Sequence, residues 1–235
     1  MDGDADLAAV GSLLAEPARA RMLAALGDGR SLPASALAAE AGVAPSTASG
    51  HLARLVDGGL LTAESRGRRR YFRLHGPEVA EALEALARVA PREPVRSLGQ
   101  ASRIEALRAA RTCYDHLAGR LGTALMDALT ERGLVADEHV TDVGLERLGE
   151  LGIDIDAIPG RRPRFRSCLD WSERRPHAAG KLGAALAAHA FELGWVERLD
   201  GSRALRVTAA GEAGFADTFG LSSTEARRSS PHRRR

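Results

Sequence analysis

SLPASALAAEAGVAPSTASGHLARLVDGGLLTAESRGRRRYFRL, residues 31–74, decides the fold. Leu37 belongs to a short helix from about Ala34 to Ala41, stopped by Gly42. Gly42-Val43-Ala44 makes the turn, and Pro45 opens the next helix, where its missing N–H costs nothing. On that helix, Pro45 to about Asp57, Ala48, Leu52, Leu55 and Val56 share one side at helical spacing and are expected to pack inward. Ser46, Thr47, Gly50, His51 and Arg54 fall largely on the other side, with Ser49 at the margin. Gly58-Gly59 ends the helix; 60–63 reads as a strand, 65–68 as a turn and 69–74 as the returning strand. Arg66, Arg68, Arg69, Arg70 and Arg73 crowd the tip and return strand, with no acid among them. Two short helices followed by a basic hairpin predict a winged helix-turn-helix.

That arrangement points to DNA. Small hydroxyl residues at a helix N-terminus let the backbone come close to a duplex, and the helix dipole favours phosphate. Ser46, Thr47, Ser49, Gly50, His51 and Arg54 are the expected readers of the major groove. Arg66, Arg68, Arg69, Arg70 and Tyr71 are the expected contacts to the backbone or minor groove. A polar helix face or a charge run is by itself usually only a solvated surface. The two in direct succession favour nucleic acid.

Working outward, Asp6 is placed to cap a helix carrying Leu7, Val10, Leu13 and Leu14, and Pro17 begins a second with Met22, Leu23 and Leu26 apolar. The 235 residues are 44% hydrophobic, a globular composition. No apolar run approaches the roughly 20 residues of a membrane span. The acidic start, MDGDADLAAV, lacks the features of a signal peptide, so a cytoplasmic location is expected. Two cysteines suit a reducing compartment and exclude a disulfide scaffold. The net charge of +2 excludes a globally basic chain, so nucleic-acid contacts must come from local clusters.

The pattern Ser-Thr-x-Ser-x-His-Leu-x-x-Leu from Ser46 to Leu55, followed by Gly-Leu-Leu and an Arg-Gly-Arg…Tyr hairpin, resembles the ArsR/SmtB-type bacterial repressors over about residues 7–90. The resemblance implies a homodimer built through the first helix and the segment Glu78 to Val89, with Leu83, Leu86 and Val89 apolar. It also implies two recognition helices on a pseudo-palindromic double-stranded operator. Metal sensors of that family often carry a Cys-x-Cys motif before the recognition helix, or Asp and His ligands on the last helix of the domain. Here 34–42 has neither cysteine nor histidine, and 78–90 has glutamates but no histidine. The resemblance therefore does not carry metal sensing over.

Pro91-Arg92-Glu93-Pro94 marks a boundary, giving a DNA-binding and dimerisation domain over 1–95, an effector or oligomerisation domain over 96–220 and a disordered basic tail over 221–235. The middle domain holds a repeat, about 103–152 and 160–220. His116 and His177 are each followed by glycines 3, 6 and 17 positions on, and Thr-x-x-Gly recurs at Thr141 and Thr208. Asp200-Gly201 is a hairpin turn between two short strands, so this half reads as two degenerate winged-helix-like repeats. Its helix from Ala178 to Leu193 has few donors and is not expected to read DNA. The fold class is mainly α with small β-hairpins (α+β).

Cys113 with His116, one helical turn apart, and Cys168 with His177 supply four soft or borderline metal ligands. Buried structural cysteine is the commoner case, and a reversible Cys113–Cys168 disulfide is a further alternative. The preferred expectation is a small-molecule pocket between the repeats lined by Tyr114, His116, Trp171, Glu173, Arg174 and His177. No cofactor is assigned; the effector is a small molecule before a metal ion. The function expected is a dimeric, sequence-specific transcriptional regulator, a repressor, under effector control. The alternatives are a constitutive architectural DNA-binding protein, a thiol- or metal-based sensor, and, remotely, a cysteine-dependent enzyme.

Overall fold

The computed structural model describes residues 4–92 and 94–221. The chain divides into two compact units, with the division between Leu83 and Glu84. In the first unit, α1 (Leu7–Leu14) is capped by the Asp6 carboxylate, which accepts from the Ala9 N–H. α2 (Pro17–Ala25) buries Met22 and Leu23. Its buried Arg19 donates to the carbonyls of Ser12 and Leu13, two groups that the end of α1 leaves unpaired. A short strand the periodicity does not predict, β1 (Leu32–Pro33), precedes α3 (Ala34–Ala41), which ends on Gly42 at φ +68°. α4 (Pro45–Asp57) turns Ala48, Leu52 and Leu55 into the core; Val56 is only half-buried.

β2 (Leu61–Arg66) and β3 (Arg69–Leu74) pair from Leu61↔Leu74 to Arg66↔Arg69, and β1 pairs with β3 to give the order β1-β3-β2. The hairpin is longer than the sequence predicts, because Gly67 at φ +60° permits a two-residue loop of Gly67 and Arg68. α5 (Pro77–Val89) follows, and the boundary between the units falls within it.

The second unit opens with α6 (Leu98–Ala109). A hairpin–helix–hairpin–helix order then occurs twice. The first run is β4 (Arg111–Cys113), β5 (His116–Ala118), α7 (Gly119–Glu131), β6 (Val135–Ala136), β7 (His139–Val140) and α8 (Asp142–Glu150). The second is β8 (Arg166–Leu169), β9 (Pro176–Ala179), α9 (Gly180–Glu192), β10 (Val196–Arg198), β11 (Leu205–Val207) and α10 (Ala209–Phe219). The Thr-x-x-Gly pairs have the same role in both. Thr141 and Thr208 accept from the N–H of Gly144 and Gly211, capping α8 and α10, and each hydroxyl donates to a glycine carbonyl, Gly133 or Gly194, at 2.7 Å. One apolar core serves both runs, with Leu117, Leu121, Leu125 and Leu129 beside Leu182, Leu186, Trp195 and Phe215. Leu221 closes that core; the rest of the Ser/Arg-rich tail lies outside the described residues. Among the described residues, no helix is long and apolar enough to cross a membrane.

Two sequence expectations are corrected here. The helix anticipated from Ala178 starts at Gly180, and His177-Ala178-Ala179 is strand. Cys113 and His116 are likewise not one helical turn apart: Tyr114 at φ +57° bends the chain, so the two face each other across a hairpin.

Candidate functional site

The outward side of α4 carries Ser46, Thr47, Ser49, Gly50 and Arg54, all exposed, with His51 half-buried. Pro45 fixes the first turn and Ala44 supplies no side-chain cap, so the first N–H groups of the helix stay open to an acceptor. The Ser49 hydroxyl donates to the Pro45 carbonyl at 3.0 Å and keeps its lone pairs for an incoming donor. Arg68, at the hairpin tip, and Arg69, Arg70 and Arg73 are exposed. Arg66 is engaged: it pairs with Glu64 at 3.0 Å and lies 5.2 Å from the Tyr71 ring centroid. The guanidinium of Arg70 lies 5.4 Å from the Phe72 ring centroid. These elements offer an open helix N-terminus and a cationic hairpin.

A second constellation lies inside the second unit. Cys113 pairs with His116 across β4 and β5, and Cys168 pairs with His177 across β8 and β9. All four side chains are buried, and one ligand atom from each lies within 4.8 Å of the others. The His116 and His177 rings stack with centroids 5.0 Å apart. Glycine makes this possible. A Cβ on Gly183 would stand 2.3 Å from the Ala178 carbonyl oxygen and 2.9 Å from the His116 Cβ. One on Gly122 would stand 2.4 Å from the Leu117 carbonyl oxygen and 3.5 Å from the His177 Cβ. Each histidine thus rests on the helix that follows the other hairpin.

Contact with Cys168 pushes the Cys113 thiol, with burial acting the same way, up to about 11, and the same contact lowers Cys168 against burial. Burial opposes protonation of His116, but the Cys113 sulfur and the Asp115 carboxylate outweigh it and raise that ring. Asp115 lies 3.4 Å from His116 Nδ1, and Asp170 lies 3.7 Å from His177 Nδ1. His116 Nε2 and both ring nitrogens of His177 make no hydrogen bond. Asp170 itself accepts from Arg111 at 3.0 Å, from the Gly119 N–H at 2.7 Å and from Ser172 and the Glu173 N–H. Burial would raise this carboxylate, but Arg111 and those donors hold it well below the usual range. Arg111 is fully buried, with the Trp171 ring 4.9 Å away and Glu84 at 3.4 Å; Arg203 completes the set on Glu84 at 2.7 Å.

Residues 14–64 match the family model of a helix-turn-helix domain. An uncharacterized HTH-type transcriptional regulator of Bacillus subtilis, YdfF, is 40% identical over 215 residues, 89% of this chain and 95% of that protein. The chain belongs to the helix-turn-helix transcriptional regulators. Two solved structures are similar to its N-terminal part. The homodimeric winged helix-turn-helix DNA-binding domain Mb0332 of Mycobacterium bovis, a possible ArsR-family regulator, is 35% identical, covering 38% of this chain and 88% of that one with a TM-score of 0.32. The cadmium sensor CMTR of Mycobacterium tuberculosis is 36% identical, covering 39% and 99%, with a TM-score of 0.31.

In this regulator the expected effector residues separate. Cys113, His116, Cys168 and His177 come together. Tyr114 turns the first hairpin; Glu173 and exposed Arg174, at φ +55°, turn the second. Between the hairpins Cys113, Ala118, Cys168 and Ala179 are in mutual contact. A cavity of about 650 Å³ lies elsewhere, bordered by Ala87, Arg92, Gln100, Ile104, Arg108 and Trp171, and takes only Trp171 from the expected set. Arg162 and Arg164, in the basic loop between the repeats, are bound to Asp115 and Asp156. Sequence reasoning passed over Asp170, Arg111, Glu84 and Arg203. No signal in the sequence set them apart: Arg111 and Asp170 stand in segments that also carry Asp115, His116 and Arg166, and Glu84 is one of several glutamates on its helix.

Proposed function

We propose that this regulator is a cytoplasmic homodimer that recognises a pseudo-palindromic operator, represses from it, and is released by an effector held within 96–220. The observation that carries the reading is the succession of an exposed, hydroxyl-rich helix N-terminus on α4 and an arginine hairpin. Phosphate contacts from the hairpin would supply affinity and register, and side chains of α4 would supply base readout. Ser46, Thr47, Ser49, Gly50, His51 and Arg54 take the second role; Arg68, Arg69 and Arg70 take the first, with Arg66 and Tyr71 bracing the hairpin. Exposed Leu7 and Val10 on α1, and exposed Leu86 and Val89 on α5, are apolar surface suited to a second copy. Burial of both sulfurs and the raised Cys113 thiol weigh against thiol catalysis.

The test begins with an operator selected from random duplexes by the full chain. Replacing Ser49 and His51 together by Ala should weaken binding to that operator at least about tenfold, on the scale of one mismatched base pair. Nonspecific binding and the circular dichroism spectrum should be preserved. Unchanged operator affinity would overturn the assignment of α4.

A further inference from the structure

A buried imidazole normally spends its ring nitrogens on hydrogen bonds. His116 and His177 leave three of four unpaired, beside two sulfurs, in a place closed to solvent. We propose that Cys113, His116, Cys168 and His177 form a closed tetrahedral site for one Zn²⁺ ion per chain. The inference deepens the regulatory reading by naming the class of effector, and it rests on that reading only for the consequence of binding, not for binding itself.

Four features converge on this ion. Two sulfurs and two imidazoles are a donor set that zinc takes in tetrahedral form. Donor atoms within 4.8 Å of one another need to close by only about 1 Å to reach the spacing around zinc. Asp115 is hydrogen-bonded to Nδ1 of His116, which orients that ring and leaves its Nε2 to the ion, while the Asp170 carboxylate stands 3.7 Å from Nδ1 of His177, beyond hydrogen-bond reach. Charge favours a divalent ion. Around the site Arg111 and Arg203 face Asp170 and Glu84, and Arg162 faces Asp115. Two thiolates then match the charge of the ion they hold, as burial favours. A Cys113–Cys168 disulfide, by contrast, would leave the imidazole nitrogens as unpaired as before. Binding breaks the S–H bond of each protonated thiol, releases that proton to solvent and forms a Zn–S bond, with no change of oxidation state.

The test uses the full chain, purified in reductant, stripped with chelator and titrated with Co²⁺ and then Zn²⁺. One Co²⁺ per chain should bind with thiolate charge-transfer absorption and the intense visible bands of tetrahedral cobalt, and one equivalent of Zn²⁺ should erase them. Cys113→Ser and His116→Gln should each weaken Co²⁺ affinity more than about 100-fold; Asp115→Asn, which keeps every ligand, should weaken it about tenfold. Circular dichroism identifies any variant that fails to fold, and the Asp115→Asn titration then decides. Three results would overturn the site: a weak octahedral cobalt spectrum in the wild type, equal affinity in the folded variants, or a Cys113–Cys168 disulfide in a chain that takes no Co²⁺ after reduction. Operator binding is measured on the same preparations. A chain that binds cobalt but no operator leaves the site standing and removes the regulatory reading; the reverse result removes the site alone.

Discussion

A guanidinium with no exposed surface is tolerated only where its charge is matched, and Arg111 is matched twice, by Asp170 at 3.0 Å and by Glu84 at 3.4 Å. Glu84 is shared with Arg203, so two cations and two anions form one closed set. Burial pushes the Glu84 carboxyl up, but Arg203 and Arg111 prevail and hold it below its ordinary 4.5. In that case the unfolded chain binds more protons than the folded one as pH falls through this range. The stability Glu84 contributes is therefore present above about 4.5 and lost as pH drops through the lower, folded value. Glu84→Gln should cost about 3 kcal/mol near neutrality, the scale for breaking a buried pair, and the gap to wild type should shrink on acidification. Urea denaturation at both pH values checks this; a gap that does not narrow would separate Glu84 from the acid response. None of the set was legible in the sequence. Glu84 reads as one of several glutamates on an amphipathic helix, and only the tertiary fold reveals which is buried.

At the scale of elements, the helices of the first unit were legible because their apolar spacing and their punctuation by Pro17, Gly42 and Pro45 agree. The hairpins at 111–118 and 166–179 were not. Strands of three or four residues are too short to show alternation, and a Cys and a His three positions apart imitate helical spacing. The repeat signal nonetheless named Cys113, His116, Cys168 and His177, which the fold brings together in a geometry other than the helical one expected. The first hairpin, β2–β3, yields a prediction that distinguishes its arginines. Replacing Arg68 and Arg70 by Ala should lower affinity for every duplex alike and reduce the salt dependence by about one unit of slope for each phosphate that is no longer neutralised. Arg66→Ala should do less, since that charge is already shared with Glu64. Binding isotherms over a range of salt concentrations measure all three, and an unaltered slope in the double variant would take the hairpin off the backbone.

At the scale of the molecule, the face proposed for DNA belongs to the first unit and the Cys/His cluster to the second, and the division between the units falls within α5. Regulation then has to appear as a coupling free energy between two distinct sites, and such a coupling is reciprocal. If zinc releases the operator, saturating Zn²⁺ should weaken operator affinity by a factor of about 10, or about 1.4 kcal/mol, within the usual range for allosteric regulators. Saturating operator must then weaken zinc affinity by the same factor. Both arms can be read on the full chain, by operator titrations with and without Zn²⁺ and by competition for Zn²⁺ against a chromogenic chelator with and without operator. Cys113→Ser should abolish both responses while preserving operator affinity in the absence of metal. Equal operator affinity with and without the ion, in a chain shown to hold it, would make the zinc a structural staple of the second unit rather than a signal.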